Sequence, residues 1–311
     1  MKNTTKIIGI NQRKRGDSIF YWCCLAWPIF QFIIFYLYVN LDSFVLAFQK
    51  YDVATKTYNF SDPLYYFNRF FGEFQNSNTM FRGVFYNILN YLIGLCIGTP
   101  IVIYLSFVLY KHVPGDKVFR ILLYAPTVIS STVWVLVYSH AVENLIPALA
   151  QSIFGVKMGG LLSNSKTMLG ALLYFQRWYS LGGGTLLYIS TMSGISEEQV
   201  EAMRIDGAGT FKEFIHLTLP SIWPILSLFL WTGIPAIITS DMGLYTFYGY
   251  TAPLEIRSFG YWLTCVKFRA SSNIVDLPYV AAIGMIQSAV VLPLMFGVKK
   301  ILSKLGPRVE D

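Results

Sequence analysis

"EAMRIDGAGTFKEFIHLTLP", residues 201–220, holds six ionisable side chains: Glu201, Arg204, Asp206, Lys212, Glu213 and His216. It sits in a chain of 311 residues that is 54% hydrophobic and only 13% charged. The segment reads as two short helices with a hinge. Ser196 with Gln199, and Thr210 with Glu213, have the spacing of capping boxes. Gly207-Ala208-Gly209 lies between them, where a helix stops most readily on a residue that tolerates left-handed geometry. Phe211, Phe214, Ile215 and Thr218 recur at i, i+3, i+4 and i+7, one face of a helix. Pro220 forces an exit, and Pro224 opens the apolar stretch that follows.

Outward from this polar island the chain is close to an oil. A soluble domain carries about 25% charged residues, so the composition indicates a multi-spanning membrane protein. About 20 apolar residues in a helix cross the hydrocarbon core. Residues 18–41 and 83–110 contain no charge. A third stretch runs from Ile121 to His140 around Pro126. A fourth runs from Met168 to Met192, interrupted by Arg177 and Gly182-Gly183-Gly184. The fifth extends from Ile222 to Ser240 and the sixth from Tyr279 to Val298. The expectation is an all-α membrane protein of six spans with both termini on one side. Residues 42–81, aromatic and mixed in charge, are expected to form an external loop with short interfacial helices. Residues 241–278 are too polar for one span and are expected largely outside, with Phe259–Val266 a re-entrant candidate.

Lys and Arg set the orientation. Lys2, Lys6, Arg13, Lys14 and Arg15 in the tail join Lys111, Lys117 and Arg120, the island's Arg204 and Lys212, and Lys299, Lys300, Lys304 and Arg308. These fourteen oppose nine on the other face, so the positive-inside rule puts both termini and the island in the cytoplasm. The first apolar run is too long for a secretory signal and is expected to remain as an anchor. Cys23, Cys24, Cys96 and Cys265 lack metal or redox spacing.

Three functions compete for the island. A DNA-binding helix-turn-helix has the shape, but nucleic acid demands a basic surface. Residues 197–213 carry five acids (Glu197, Glu198, Glu201, Asp206, Glu213) against two bases, which excludes it. A solvated, well-capped loop is the second reading. An acidic loop on the positive side, however, calls for a partner that repays it. The third reading, a docking element for a cytoplasmic protein with a basic or dipole-positive cleft, fits best.

The spacing Glu201-Ala202-Met203, Gly207, Leu217, Leu219-Pro220 resembles the EAA loop of ATP-binding-cassette (ABC) importer permeases. Met203 stands for the second alanine and Leu217 for the usual isoleucine, both still apolar. The Asp206-Gly207-Ala208 sequence looks most like the carbohydrate-uptake branch. The resemblance covers about residues 80–300. It implies a type I importer transmembrane domain in a bacterial cytoplasmic membrane, with an EAA coupling helix pair at 194–221. Residues 1–41 would then be the tail and first helix, 42–81 an external loop, 82–300 the core permease and 301–311 the C-terminal tail. Glu201, Ala202, Met203, Asp206, Gly207, Phe211, Leu217 and Pro220 inherit the coupling surface. The implied partners are a second permease in a heterodimer, an ABC ATPase dimer, an extracellular solute-binding protein, the carbohydrate and membrane lipid. The chain itself is expected to be non-catalytic and to bind no cofactor: it has no G-x-x-x-x-G-K-[ST] loop, so ATP and magnesium belong to the ATPase.

Hydrogen-bonding and flat aromatic side chains within the spans are the candidates for a sugar path: Asn87, Asn90, Ser130, Ser131, Thr132, Trp134, Gln176, Arg177 and Trp178. Span serines and threonines also bond to their own backbone, and aromatics favour membrane interfaces without any ligand. Arg177 has two readings of equal weight. A mid-span charge costs about 2.5–3.5 kcal/mol on insertion scales, so it faces a transport path or bonds to freed carbonyls. Peptide or amino-acid import is an alternative within the same architecture. A secondary transporter is another, disfavoured by the lack of mid-span acids.

Overall fold

A computed structural model describes residues 20–306. Lys2, Lys6, Arg13, Lys14, Arg15 and Arg308, on which part of the orientation argument rests, lie outside the described residues. In chain order the elements are α1 (Phe20–Ala47), strands β1 (Lys50–Asp52) and β2 (Thr57–Asn59), α2 (Tyr65–Asn76), α3 (Asn78–Tyr110), α4 (Asp116–Val128), α5 (Ser131–Phe154) and α6 (Met168–Met192). They continue with α7 (Glu197–Ile205), α8 (Thr210–Ser221), α9 (Trp223–Thr232), the single turn α10 (Ala236–Thr239), α11 (Leu244–Tyr248), α12 (Phe259–Ser272) and α13 (Leu277–Leu305). Among the described residues four helices (α1, α3, α5 and α13, the last with its leading turn from Ile274) are long and apolar enough to cross a bilayer. The pair α8 and α9, bent by 62° at Ile222, makes a fifth candidate. α6, 25 residues long, has the length but carries Arg177.

Contacts divide the chain into two units. One lies within Met1–Phe70 and Asn273–Met285. In it the side chains of α1 are exposed from Phe20 to Val45. The antiparallel hairpin pairs Tyr51 with Tyr58, whose rings meet edge to face at 5.3 Å. Tyr58 and Tyr66 donate to the carbonyls of Ile274 and Val275 at 3.1 and 3.4 Å. The hairpin and the extension of α1 to Ala47 occupy residues expected to be loop.

The other unit spans Phe71–Ser272 and Ile286–Asp311. Its centre is α6, packed against α3 and α4. Two apolar clusters flank it. One gathers Val142, Leu172, Met242, Leu244 and Tyr261; the other gathers Val102, Phe107, Tyr188, Met192, Ile222 and Leu226. α6 runs unbroken through its three glycines, where an interruption was expected. The glycines act sideways: a Cβ at Gly182 would strike the Leu123 carbonyl of α4, and one at Gly184 would lie 3.1 Å from Val102 of α3. Both neighbours approach because no side chain stands between them.

The third span differs from its expected range. Instead of one helix over 121–140, α4 ends at Val128, with Ile129 and Ser130 extended, and α5 continues to Phe154. Glu143, three residues past the expected end at His140, does not stop the helix. Its carboxylate accepts the Leu162 and Ser163 amides at 2.5 and 2.9 Å and the Ser163 hydroxyl at 2.6 Å.

Three of the four π-helical stretches among the described residues end two residues before a proline: Gly94–Gly98 before Pro100, Ala141–Leu145 before Pro147, and Phe214–Thr218 before Pro220. Proline donates no N–H and its ring crowds the carbonyl four residues back. A widened turn absorbs both effects.

Candidate functional site

The island and a cavity beside Arg177 are joined through one helix, α3. In α7 the Ser196 side chain caps the Gln199 amide at 3.4 Å. Glu197 and Glu198 lie in the first turn and Arg204 in the last, matching the helix dipole. The helix ends in a Schellman closure: Ala208 N–H donates to Met203 and Gly207 N–H to Arg204, at 2.9 and 3.0 Å. Gly207 has φ +72°, which a β-branched residue adopts only under strain.

The second expected capping box does not form. Gly209 is the N-cap of α8 and Thr210 its first residue. Glu213 turns inward instead and pairs with Lys111, just past the end of α3. The expected apolar face also changes, because the π-helical turn alters the register. Phe214 packs on Phe107 at 4.9 Å between ring centroids and Thr218 is fully buried. Phe211 and Ile215 stay exposed.

One side of the island is therefore anchored and the other bare. No residue of α7 is buried. Glu201, Ala202 and Asp206 are exposed, while Met203, Leu217 and Pro220 are half-buried. Ile205 is 86% exposed and Phe211 74% exposed. In the adjoining loop, the His112 hydrogen bond chiefly holds the Asp116 carboxyl below its ordinary range, aided by the Lys117 amide and Arg120.

Between the two apolar clusters α3, α6 and α9 line an open cavity of about 440 Å³. Arg177, nine residues or roughly 14 Å into α6, lines it together with Gln176, and its Nη2 donates to Asn90 Oδ1 at 2.9 Å. Tyr91, Tyr188 and Phe229 supply aromatic wall, Tyr188 and Phe229 meeting edge to face at 5.7 Å.

Asn90, Gln176 and Arg177 thus meet as path candidates, while the others lie elsewhere. Asn87 is fully buried and donates to the Ile238 carbonyl at 3.2 Å. Trp134 and Trp178 pack on each other at 4.9 Å and do not line the cavity. Ser130, Ser131 and Thr132 are exposed at the start of α5. Sequence reasoning missed Tyr91, Gly94, Gly98, Tyr188, Phe229 and Ser240. The repeat Asn90-Gly94-Gly98, one small or polar residue per turn on one face of α3, was the available signal.

No protein-family model matches the chain. The arabinooligosaccharides transport system permease protein AraP of Bacillus subtilis is 25% identical over 203 residues, 63% of this chain and 62% of that protein. This chain therefore aligns with just under two thirds of that relative. The multiple sugar-binding transport system permease protein MsmF of Streptococcus mutans is 22% identical over 306 residues, 96% of this chain and 99% of that protein. A crystal structure of a bacterial ABC transporter that imports the acidic polysaccharide alginate superposes with a TM-score of 0.73 at 16% identity, covering 96% of this chain and 99% of that one. The same kind of transporter in complex with an alginate pentasaccharide-bound periplasmic protein gives 0.71 at 17% identity, over 92% and 94%. The chain thus shares its helical membrane fold with a subunit of an ABC importer and is similar in sequence to permease proteins of sugar transport systems.

Proposed function

We propose that this chain is the membrane-spanning permease of an ATP-driven, binding-protein-dependent importer of a sugar or oligosaccharide. It pairs with a second permease, and two ATPase subunits grip the islands from the cytoplasm. An extracellular binding protein delivers the solute. One observation carries the reading: α7 offers a wholly unburied face, with exposed Ile205 and Phe211 beside Glu201, on a segment anchored to the helix that lines the cavity. A solvated loop has no use for two such apolar side chains, whereas an interface does. Closure of the ATPases on ATP draws the two islands together. The Lys111–Glu213 joint passes that motion to α3, and the bundles rock between inward- and outward-facing states around a fixed site. The chain performs no chemistry; ATP and magnesium act on the ATPase.

The cavity supports the sugar assignment: the amides of Gln176 and Asn90 face it between aromatic walls. The relatives' names add support. The test is ATPase stimulation of the purified complex by its binding protein loaded from a panel of oligosaccharides, dipeptides and amino acids. Stimulation by saccharides alone is expected; stimulation by dipeptides alone would transfer the assignment to peptide import. Orientation has its own test. Single cysteines at Ser61 and Ser271 are expected to label from outside intact cells, and those at Ser196 and Ser303 only after the membrane is opened. Outside labelling at Ser196 would overturn the docking scheme.

A further inference from the structure

The cavity carries one charge and nothing to balance it. Arg177 is its only ionisable lining residue apart from tyrosines, and no carboxylate lines it. Among the described residues no acid pairs with Arg177. Its polar partner is an amide oxygen, Asn90 Oδ1, and its Nε is sealed from solvent without a hydrogen bond. The guanidinium is nevertheless built in. It lies along α3 where that helix has no side chain. A Cβ at Gly94 would collide with Nη1, and one at Gly98 would touch Cδ at 3.6 Å. Two glycines one turn apart thus make room for a half-buried cation within the helix bundle, where a charge without a counter-ion is costly.

A solute that brings the missing charge settles that cost. Resting on the sugar-importer reading, we propose that Arg177 makes this cavity selective for acidic saccharides, a uronate carboxylate pairing with the guanidinium as the sugar passes. Asn90 occupies one of the five N–H donors and Nε holds another out of reach, leaving donors at the Nη atoms for a carboxylate. Tyr91, Tyr188 and Phe229 offer flat faces for the apolar sides of the rings. A neutral sugar gains those contacts and leaves the cation unbalanced. This differs from a structural arginine that bonds to freed carbonyls, because no carbonyl accepts from Arg177 among the described residues.

The experiment measures binding to the whole complex in nanodiscs without the binding protein, whose own selectivity would mask the cavity's. The probes are matched pairs that differ only at C6: trigalacturonate against galactotriose, and cellotriuronate against cellotriose. In at least one pair the wild type is expected to bind the acid about tenfold or more tightly. Arg177→Lys is expected to keep most of that preference, and Arg177→Gln to abolish it while still binding saccharide. The wild-type ratio decides the matter even if Arg177→Gln fails to assemble. Equal binding within both pairs overturns the proposal and leaves sugar import standing; a carboxylate from the partner permease would produce this result. A preference that survives Arg177→Gln also overturns it. Failure of all four probes to bind removes the sugar reading as well.

Discussion

Lys111→Met is expected to destabilise the membrane domain by about 3–5 kcal/mol, the usual cost of removing one partner from a buried ion pair. Glu213 keeps 6% of its side chain exposed, wedged where α8 meets the end of α3. Methionine would leave its charge with no partner in that joint. The lysine head also lies 5.6 Å from the Phe107 ring and 5.4 Å from Tyr110, contacts that would be lost with it. Lys111 retains 21% exposure, so water reaching the carboxylate pulls the loss toward the lower figure. Lys111→Met combined with Glu213→Met is expected to recover most of the stability, since an apolar pair of similar size replaces a buried ion pair cheaply. Thermal unfolding of the purified protein in detergent measures both. A single mutant that melts with the wild type would show that the pair does not hold the joint.

Glu201→Lys is expected to abolish assembly with the ATPase while the permease remains inserted. Glu201 is exposed and has no ion-pair partner among the described residues, so its loss costs the chain's own fold little. Its cost falls on the docked state. Deleting one member of a desolvated interfacial pair costs at least about 2 kcal/mol, and reversal adds repulsion; the affinity loss is about 30-fold or more. Gly207→Val is expected to weaken docking by another route, through strain at φ +72°. No atom lies within 4 Å of an added Cβ there, so a steric clash is not involved. Lys212→Gln, on an exposed side chain, is expected to be silent. Co-purification of the ATPase reads all three. Wild-type recovery with Glu201→Lys would contradict the docking role.

Local signals were legible and long-range ones were not. The range Met168–Met192 and the Ser196 cap depend on neighbours in sequence, and both stand in the structure. The Thr210–Glu213 box looked equally good. Its glutamate instead meets Lys111, 102 residues away, and spacing alone carries no trace of that. The end expected at His140 failed for the same reason: Glu143 lies just beyond it, and amides about twenty residues ahead neutralise its cost and let α5 continue. In the cavity, Arg177 stood out because charge is rare in a span, and Asn90 because amides are. Gly94 and Gly98 passed unnoticed: their part is to leave space for a side chain on another helix.

In the proposed importer a separate ATPase drives transport. The most direct test is solute uptake by proteoliposomes containing the whole complex, with loaded binding protein outside and ATP sealed within. Uptake is expected to require hydrolysable ATP and the binding protein, and to persist when ionophores collapse every ion gradient. Uptake without ATP that ionophores abolish would overturn the ATP-driven mechanism and make the chain a gradient-driven transporter.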